Sequence, residues 1–354
     1  MIFSWLYWNP NRFIFTFPYL DRPIAWYGFF FVIGFVIGYF MMIRMLTTSL
    51  RHSQYVTDRD IINWKELIKG LHTTNFATFL SSKAKKIQEN DQLSSKEKNL
   101  LIESLNDTLS DPNTPYTREN INEHLPSAIS SLRDLATSLT DRLTWYIIAG
   151  TLIGSRLGHV FLYDWPRYKN NPIDIIKIWE GGLASHGGTV GVFIALYLYW
   201  RHIRRDYPEI PFLSLLDKVC VPTALVAFFI RIGNFINQEI LGTKTTVPWA
   251  IIFGNPADGS GVYPRHPVQL YEAFAYLGTF FIMLWLWSKK REELKHGFIT
   301  GLFFVLIFTS RFFLEYFKMP QGMMIDESMI QTGQLLSIPF IIFGIWLMAR
   351  KEKI

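Results

Sequence analysis

The sequence has 354 residues, of which 49% are hydrophobic and 16% aromatic, and its formal net charge is +6. Its apolar residues come in blocks that recur along most of the chain, which indicates a polytopic membrane protein rather than a soluble one. The basic residues cluster just after these blocks, as in cytoplasmic loops, so the positive charge does not indicate nucleic-acid binding. The only cysteine is Cys220, which excludes an internal disulfide and a cysteine metal site.

Runs of about twenty apolar residues predict seven membrane-spanning helices. They are Ala25–Leu46, Leu143–Tyr163, Gly182–Trp200, Val219–Ile236, Val268–Trp287, Gly297–Phe317 and Thr332–Ala349. Basic residues follow the first, third, fifth and last runs, which places the N-terminus outside and the C-terminus in the cytoplasm. The first run is too long for a cleavable signal peptide. The expected fold class is an all-α polytopic membrane protein with about seven transmembrane helices, a cytoplasmic helical insertion and a small periplasmic segment.

A polar segment from Thr47 to Asp141, rich in Ser, Asn, Asp, Glu and Lys, separates the first two predicted spans. Helical spacing of apolar residues in Asp58–Leu71 and Lys96–Leu109, and a capping box that begins at Ser94, predict short amphipathic helices there. A solvated insertion without a part in chemistry and a partner-docking module both remain open. The expected regions are the N-terminal periplasmic segment with the first transmembrane helix (1–46), the polar cytoplasmic insertion (47–141) and the remaining six transmembrane helices with the candidate motifs (142–354).

Polar and ionisable residues concentrate in the outer half of the predicted spans. Each helical residue rises about 1.5 Å, so the position of a residue in its span and the direction of that span give its depth. The residues at this depth are Tyr27, Arg156, His159, His186, Arg231, Asn234, Gln269, Glu272, Arg311 and Glu315. Ionisable residues within a membrane generally mark functional sites. Their convergence at one depth therefore predicts one outward-facing site.

Arg156, Arg231 and Arg311 carry permanently charged, planar guanidinium groups whose N–H donors suit phosphate oxygens. A phospholipid headgroup is the expected anion at this depth. His186 heads the run His-Gly-Gly-Thr-Val-Gly191, where small residues allow close approach and an imidazole can carry a proton near neutral pH. A packed, hydrogen-bonded histidine is equally open. The other structural alternatives are ion pairs of Arg311 with Glu315 and of Arg231 with Glu239 or Glu272, and interhelical hydrogen bonds for Asn234 and Asn237.

Eight short motifs are distributed over the predicted spans. They are Trp26-Tyr27-Gly28, Gly154-Ser-Arg156, Trp179-Glu-Gly-Gly182, Ser185-His-Gly-Gly188, Arg231-Ile-Gly-Asn-Phe-Ile-Asn-Gln-Glu-Ile-Leu-Gly242, Pro264-Arg-His-Pro-Val-Gln-Leu-Tyr-Glu272, Arg311-Phe-Phe-Leu-Glu315 and Gln334-Leu-Leu-Ser-Ile-Pro339. In this order the chain resembles the bacterial prolipoprotein diacylglyceryl transferases, over nearly everything outside residues 47–141. The resemblance implies a seven-span inner-membrane enzyme that moves the diacylglyceryl group of phosphatidylglycerol onto the lipobox cysteine thiol of a preprolipoprotein. It also implies a thioether-linked product and release of sn-glycerol 1-phosphate.

The resemblance implies catalytic roles for three residues. Arg231 and Arg311 would hold the phosphate and stabilise the departing glycerol phosphate. His186, a nearby carboxylate, or the arginine potential alone would favour the thiolate nucleophile. No cofactor is expected, and no metal, because the residue clusters that bind one are missing. Tyr27, Asn234, Glu239 and Gly242 match functional positions of the family, and the expected substrate-binding residues are these four together with Arg156, Glu272 and Glu315.

Two positions depart from the family pattern. Ile230 stands where the family usually has glycine, and Ile307 stands where it usually has tyrosine. Any role of that hydroxyl is absent or supplied elsewhere, for example by Tyr271 or Tyr27.

Two non-enzymatic alternatives remain for the whole chain. A phospholipid transporter or flippase would also need arginines in a membrane cavity, but it predicts internal repeats and a site near the midplane. The sequence shows no repeat, and its polar residues are shallow. A membrane scaffold with structural ion pairs is the second alternative.

Overall fold

The computed structural model describes residues 5–17, 22–51, 67, 69, 78, 94–116, 121–125, 132–204, 207, 210–291, 293–319 and 331–351. The chain divides into two compact units, one made of residues 1–42 with 210–354 and the other of residues 43–209. The predicted helix at Asp58–Leu71 lies almost entirely outside the described residues. The predicted helix at Lys96–Leu109 is confirmed, and Ser94 and Glu97 form its capping box through bonds between each backbone N–H and the other residue's side chain.

Most of the described chain is helical. The described helices are α1 (Trp26–Arg51), α2 (Ser95–Ser110), α3 (Ile121–His124), α4 (Leu132–Leu162), α5 (Trp165–Asn170), α6 (Ser185–Ile203), α7 (Phe212–Asn237), α8 (Val268–Lys290), α9 (Phe298–Leu314) and α10 (Thr332–Ala349). Each of the seven predicted spans coincides largely with one of these helices. The boundaries expected at residues 46 and 141 fall inside α1 and α4, because both helices continue into the polar segment.

Length and composition support fewer membrane crossings than the sequence predicts. Among the described residues, four helical segments are long and apolar enough to cross a membrane: Trp26–Leu50, Phe212–Asn237, Val268–Lys290 and Phe298–Phe317. These segments make the chain a multi-pass membrane protein, but the count of seven spans is not confirmed. Helix α10 falls short in length. Helices α4 and α6 instead carry several glycines and hydroxyl residues, together with Arg156 and His186.

Short strands accompany the helices, although the sequence predicted an all-α fold. β1 (Leu6–Trp8) runs parallel to β4 (Ile251–Phe253), with Leu6 opposite Ile251, and β4 pairs antiparallel with β5 (Pro264–Arg265). β2 (Phe13–Phe17) and β3 (Arg22–Ala25) form a separate antiparallel hairpin. These strands were missed because each is very short and because β1 finds its partner far away in the sequence.

The three-stranded sheet packs against the C-terminal end of α7. The Trp8 ring stacks on the Phe235 ring at 4.7 Å, and Trp8 Nε1 donates to the Phe235 carbonyl at 3.1 Å. Phe253 and Leu241 complete a small apolar core with Phe235. This core fixes the chain that leaves α7, which is the stretch where the Arg231–Gly242 motif ends.

Asp217 joins α7 to the start of α9. Its carboxylate accepts hydrogen bonds from the Gly297 backbone at 2.6 Å and from the Thr300 backbone and hydroxyl, both at 2.7 Å. A carboxylate at a helix N-terminus satisfies N–H groups that have no partner within the helix and complements the helix dipole. The bond therefore sets the relative positions of α7 and α9 at the end opposite to the motif.

In the unit of residues 43–209, α4 and α6 touch through glycines. A Cβ built on Gly191 would lie 2.0 Å from the Gly150 carbonyl oxygen, and one on Gly187 would lie 2.2 Å from that of Gly154. Small residues at four-residue spacing allow helix backbones to approach closely in membranes. Further along, the Tyr199 hydroxyl donates to the Leu139 carbonyl at 2.9 Å.

We expect Gly191→Ala to destabilise the protein by about 1–3 kcal/mol, because the added methyl group has only backbone to displace. Gly278→Ala in α8 is the matched control, since a Cβ there meets nothing within 4 Å and alanine favours a helix. Thermal unfolding of both variants in detergent measures the difference. Equal stability of the two variants would show that the α4–α6 contact is looser than described.

Candidate functional site

A chain of alternating charges lies within the unit of residues 1–42 and 210–354. Arg231 Nε is 2.9 Å from Glu272 Oε2, Lys318 Nζ is 2.8 Å from Glu272 Oε1, and the same Nζ is 3.1 Å from Glu315 Oε2. Glu272 has no exposed surface and Lys318 is 5% exposed. Ions buried this deeply are tolerated only when each has an opposite charge beside it. The alternation therefore ties α7, α8 and the turn after α9 together.

The asparagines of the motif are directed to Glu239. Asn234 Nδ2 donates to Glu239 Oε2 and Asn237 Nδ2 to Glu239 Oε1, both at 3.0 Å, while Arg231 Nη1 donates to Asn234 Oδ1 at 3.1 Å. Gln269 of α8 donates to the Glu239 carbonyl at 2.6 Å. The sequence left Glu239 and Glu272 as possible ion-pair partners of Arg231, and the structure pairs Arg231 with Glu272. Glu239 is linked to Arg231 indirectly, through the side-chain amide of Asn234.

The backbone after α7 makes an unusual turn. Gln238 has φ 57° and Ile240 has φ 53°, and a β-branched residue at positive φ is an uncommon, strained conformation. The buried Gln238 side chain holds the turn, since its Oε1 accepts the Asn255 N–H at 2.7 Å and its Nε2 donates to Asn9 Oδ1 at 3.3 Å. This turn brings the Glu239 N–H back to the Asn234 carbonyl at 2.9 Å. Gln238 lies within the Arg231–Gly242 motif but received no role from the sequence, and Asn9 lies outside every motif.

Gly242 lies where two chain segments meet. A Cβ there would be 2.2 Å from the His266 carbonyl oxygen, and Gly242 forms an antiparallel bridge with Lys318. The fully buried Arg265 also donates to the Gly242 carbonyl at 3.4 Å, and its guanidinium lies 4.0 Å from the Tyr263 ring centroid. Gly242 therefore allows close packing of the segments that carry Lys318 and Arg265, two residues that the sequence analysis did not select.

Arg311 makes no hydrogen bond or ion pair with any residue that the structure describes, and the residue is partly buried. The sequence also allowed an ion pair between Arg311 and Glu315. This pair does not form, because the Glu315 carboxylate binds Lys318 instead. Gly333 of α10 lies against the Glu315 carboxylate, where a Cβ would come within 2.1 Å of Oε1. Arg311 is thus a cation with no carboxylate contact among the described residues.

Two tyrosines border the charged residues. Tyr276 donates its hydroxyl to Glu272 Oε1 at 3.3 Å, and the Arg231 guanidinium carbon lies 5.8 Å from its ring centroid. Tyr276 also interacts electrostatically with Arg311. Tyr27 packs on Gly233, where a Cβ would be 2.7 Å from its ring.

Tyr271, one residue considered as a substitute for a hydroxyl at position 307, is engaged elsewhere. Its hydroxyl accepts the Trp249 indole N–H at 2.7 Å and lies 3.3 Å from His266 Nδ1. Burial lowers the pKa of His266, so the imidazole is neutral at pH 7. Tyr276 is the hydroxyl placed beside Arg231 and Glu272, and nothing local in the sequence distinguishes it from an ordinary buried tyrosine.

Arg156 belongs to the unit of residues 43–209 and is 4% exposed. All of its guanidinium nitrogens donate to backbone carbonyls of the segment before α6. The acceptors are the carbonyl oxygens of Asp174, Ile175, Lys177, Gly181 and Gly182. An arginine has five N–H donors, so none remains for a phosphate at this position.

His186 is exposed at the first turn of α6, and no hydrogen-bond partner for it lies among the described residues. It borders an apolar groove of about 850 Å³ that runs along α4 and α6. The hydrogen-bonded, packed histidine is therefore not what the structure contains. A single site that joins His186 and Arg156 to the Arg231 cluster stays a prediction.

Similarity to known proteins covers most of the chain. The family model described as prolipoprotein diacylglyceryl transferase matches residues 123–350. The phosphatidylglycerol–prolipoprotein diacylglyceryl transferase of Protochlamydia amoebophila is 45% identical over 360 residues, which cover 99% of this chain and 96% of that protein. The transferase of the same name from Tolumonas auensis is 46% identical over 219 residues, or 61% of this chain and 81% of that protein. The first match therefore runs through the polar insertion.

Lys318→Met should destabilise the protein by about 3–5 kcal/mol, because it leaves two carboxylates without their shared cation in a buried place. Lys318→Arg should retain most of the stability. Lys290→Met, at the exposed end of α8, is the matched control for loss of a lysine charge. Thermal unfolding decides, and a Lys318→Met variant as stable as Lys290→Met would remove the ion-pair chain as a structural element.

Proposed function

This chain belongs to the prolipoprotein diacylglyceryl transferase family, and we propose that it transfers the diacylglyceryl group of phosphatidylglycerol to the lipobox cysteine thiol of preprolipoproteins. In this reaction the thiolate sulfur attacks the glyceryl carbon that bears the phosphate. A carbon–sulfur bond forms, the carbon–oxygen bond to phosphate breaks, and sn-glycerol 1-phosphate leaves. The observation that supports this chemistry best is Arg311, a cation without a carboxylate contact among the described residues, close to a cluster of paired charges.

Arg231 and Arg311 are assigned to the phosphate. Arg231 is oriented by Glu272 at Nε and by Asn234 at Nη1, and the Tyr276 ring lies beside its guanidinium. Positive groups fixed before the reaction stabilise charge as it develops on a leaving phosphate. Glu272 would keep Arg231 in place, and Glu315, joined to it through Lys318, would fix the turn after α9; neither would contact the lipid.

The other candidate residues are assigned by their surroundings. Asn234 and Glu239 would orient Arg231 and the turn after α7, Gly242 would permit the close packing there, and Tyr27 would border the lipid. Arg156 is assigned to holding the segment before α6, since its donors are occupied. His186, a carboxylate of the cluster or the arginine potential alone would favour the thiolate. No cofactor is assigned to the reaction.

We assign all seven predicted helices to the bacterial inner membrane, with the N-terminus periplasmic and the C-terminus cytoplasmic. Exposed apolar side chains support a lipid environment for the three helices that length and composition leave undecided. Ile153 on α4 is 60% exposed, Val190 on α6 is 58% exposed, and Ile342 on α10 is 62% exposed. Side chains of this kind are stable on an outer surface only when that surface faces lipid or protein.

Arg231→Lys should reduce transfer strongly. The lysine ammonium keeps the positive charge, but it lacks the planar guanidinium that can contact Glu272, Asn234 and a phosphate at the same time. The measurement is transfer of labelled diacylglyceryl from phosphatidylglycerol to a lipobox peptide. Arg44→Lys, at an exposed arginine of α1, is the control and should keep wild-type activity. Near-wild-type transfer by a well-folded Arg231→Lys variant would remove Arg231 from the site, and absence of transfer by the wild type would favour the transporter alternative.

Tyr276→Phe should lower the transfer rate by about 10- to 100-fold, the equivalent of losing a hydrogen bond to a charged group. If Tyr276 supplies the hydroxyl that position 307 lacks, adding Ile307→Tyr to Tyr276→Phe should restore part of the rate. Tyr163→Phe, at an exposed tyrosine, should change nothing. A Tyr276→Phe variant with full activity would mean that the hydroxyl has no part in the reaction.

A further inference from the structure

The segment between α4 and α6, residues 163–183, exposes its large apolar side chains. Ile173 is 74% exposed, Ile176 is 72% exposed and Trp179 is 73% exposed. Tyr163 and Leu183, at the two ends of the segment, are 62% and 50% exposed. Contiguous exposed apolar surface of this kind marks an interaction site rather than an ordinary water-facing loop.

The Asp174 carboxylate of the same segment binds two basic side chains, Lys177 and Arg167, that are themselves partly exposed. Asp174 Oδ1 is 2.7 Å from Lys177 Nζ, and its Oδ2 is 3.7 Å from Arg167 Nη2. Arg156 donates to the backbone carbonyls on the inner side. The buried Tyr168 ring lies between two guanidiniums, with the Arg156 carbon 5.1 Å and the Arg167 carbon 5.5 Å from its centroid.

Apolar groups of a soluble loop are usually covered and its charges face water, whereas this segment exposes isoleucine and tryptophan side chains over a buried Arg156. The Lys177 hydrogen bond lowers the pKa of the Asp174 carboxyl, so this ion pair persists at neutral pH. A segment that exposes large apolar side chains to this extent is stable when its exposed face meets lipid. Tryptophan is enriched at membrane interfaces because its ring is amphipathic.

Exposed apolar side chains are also present on the two flanking helices. Phe161 at the end of α4 is 59% exposed, and Val190 in the second turn of α6 is 58% exposed. Lys169 is exposed beside this face, and a cation at that place suits anionic headgroups. The lipid around the two helices is therefore the occupant that is continuous with the exposed face.

We propose that residues 163–183 form an interfacial platform whose Ile173, Ile176 and Trp179 side chains insert into the outer leaflet, held rigid by Arg156 from within. The proposal rests on the membrane crossing of α4 and α6 assigned above. It gives Arg156 a positioning role. The platform ends at Leu183, three residues before His186, so it fixes that histidine at the depth of the lipid headgroups.

Spin labels test the depth of the platform directly. Single cysteines replace Ile173, Ile176 and, as a matched exposed polar control, Asn171, each in a Cys220→Ala background and in vesicles that contain phosphatidylglycerol. Labels at 173 and 176 should collide with oxygen, which dissolves in lipid, and be shielded from a water-soluble nickel chelate. The label at 171 should show the opposite. Equal nickel collision at all three positions would overturn the proposal, and shielding of 173 and 176 from both reagents would overturn it in favour of a protein cover.

A second measurement tests the role of Arg156. In the Ile176→Cys background, Arg156→Lys should raise both the mobility of the label and its collision with nickel, since one ammonium cannot bind five carbonyls. Arg44→Lys should leave both unchanged. An unaltered spectrum in Arg156→Lys would show that the platform does not depend on this arginine. Neither measurement needs turnover, so failure of the platform and failure of the proposed transferase reaction are distinguishable.

Discussion

The buried series Arg231, Glu272, Lys318 and Glu315 is the interaction on which the rest of the unit depends. Removal of one member of a buried ion pair leaves an uncompensated charge, which costs more than the pair contributes. Helices α7 and α8 and the turn after α9 are therefore locked to one relative position by three contacts of 2.8–3.1 Å. Glu315 is also occupied by this series, which is why Arg311 keeps its charge without a carboxylate contact among the described residues.

The strained turn at Gln238 and Ile240 completes the same arrangement from the other side. Two positive φ angles in non-glycine residues are sustained because the Gln238 amide bonds to two other segments and Trp8 stacks on Phe235 just before the turn. Strain held by surrounding structure is characteristic of functional sites. Here its effect is to direct Glu239 toward the asparagines of α7 and away from Arg231, which leaves Arg231 to Glu272.

The helices were predictable because hydrophobic runs and a capping box are local patterns, and the Arg231–Glu272 contact was foreseen as one of two alternatives. The order of the motifs was enough for the family. Lys318 and Tyr276 were not predictable, and Gln238 was recognised only as part of a motif, since each acquires its role from partners distant in sequence. Strand β1 was missed for the same reason. Arg156 was expected to bind a phosphate, but in the structure its guanidinium donates to backbone carbonyls. The residue type alone does not distinguish phosphate binding from carbonyl binding.

The central claim is that paired charges fix the helices while the arginines act on a lipid phosphate whose bond to the diacylglyceryl group is broken. The most direct measurement incubates the purified protein with a lipobox peptide in vesicles of phosphatidylglycerol or of phosphatidylethanolamine, and analyses the peptide and the water-soluble product by mass spectrometry. The account predicts a diacylglyceryl thioether on the cysteine together with glycerol phosphate, in phosphatidylglycerol vesicles. Unmodified peptide in phosphatidylglycerol vesicles, or a modified peptide without release of glycerol phosphate, would contradict it.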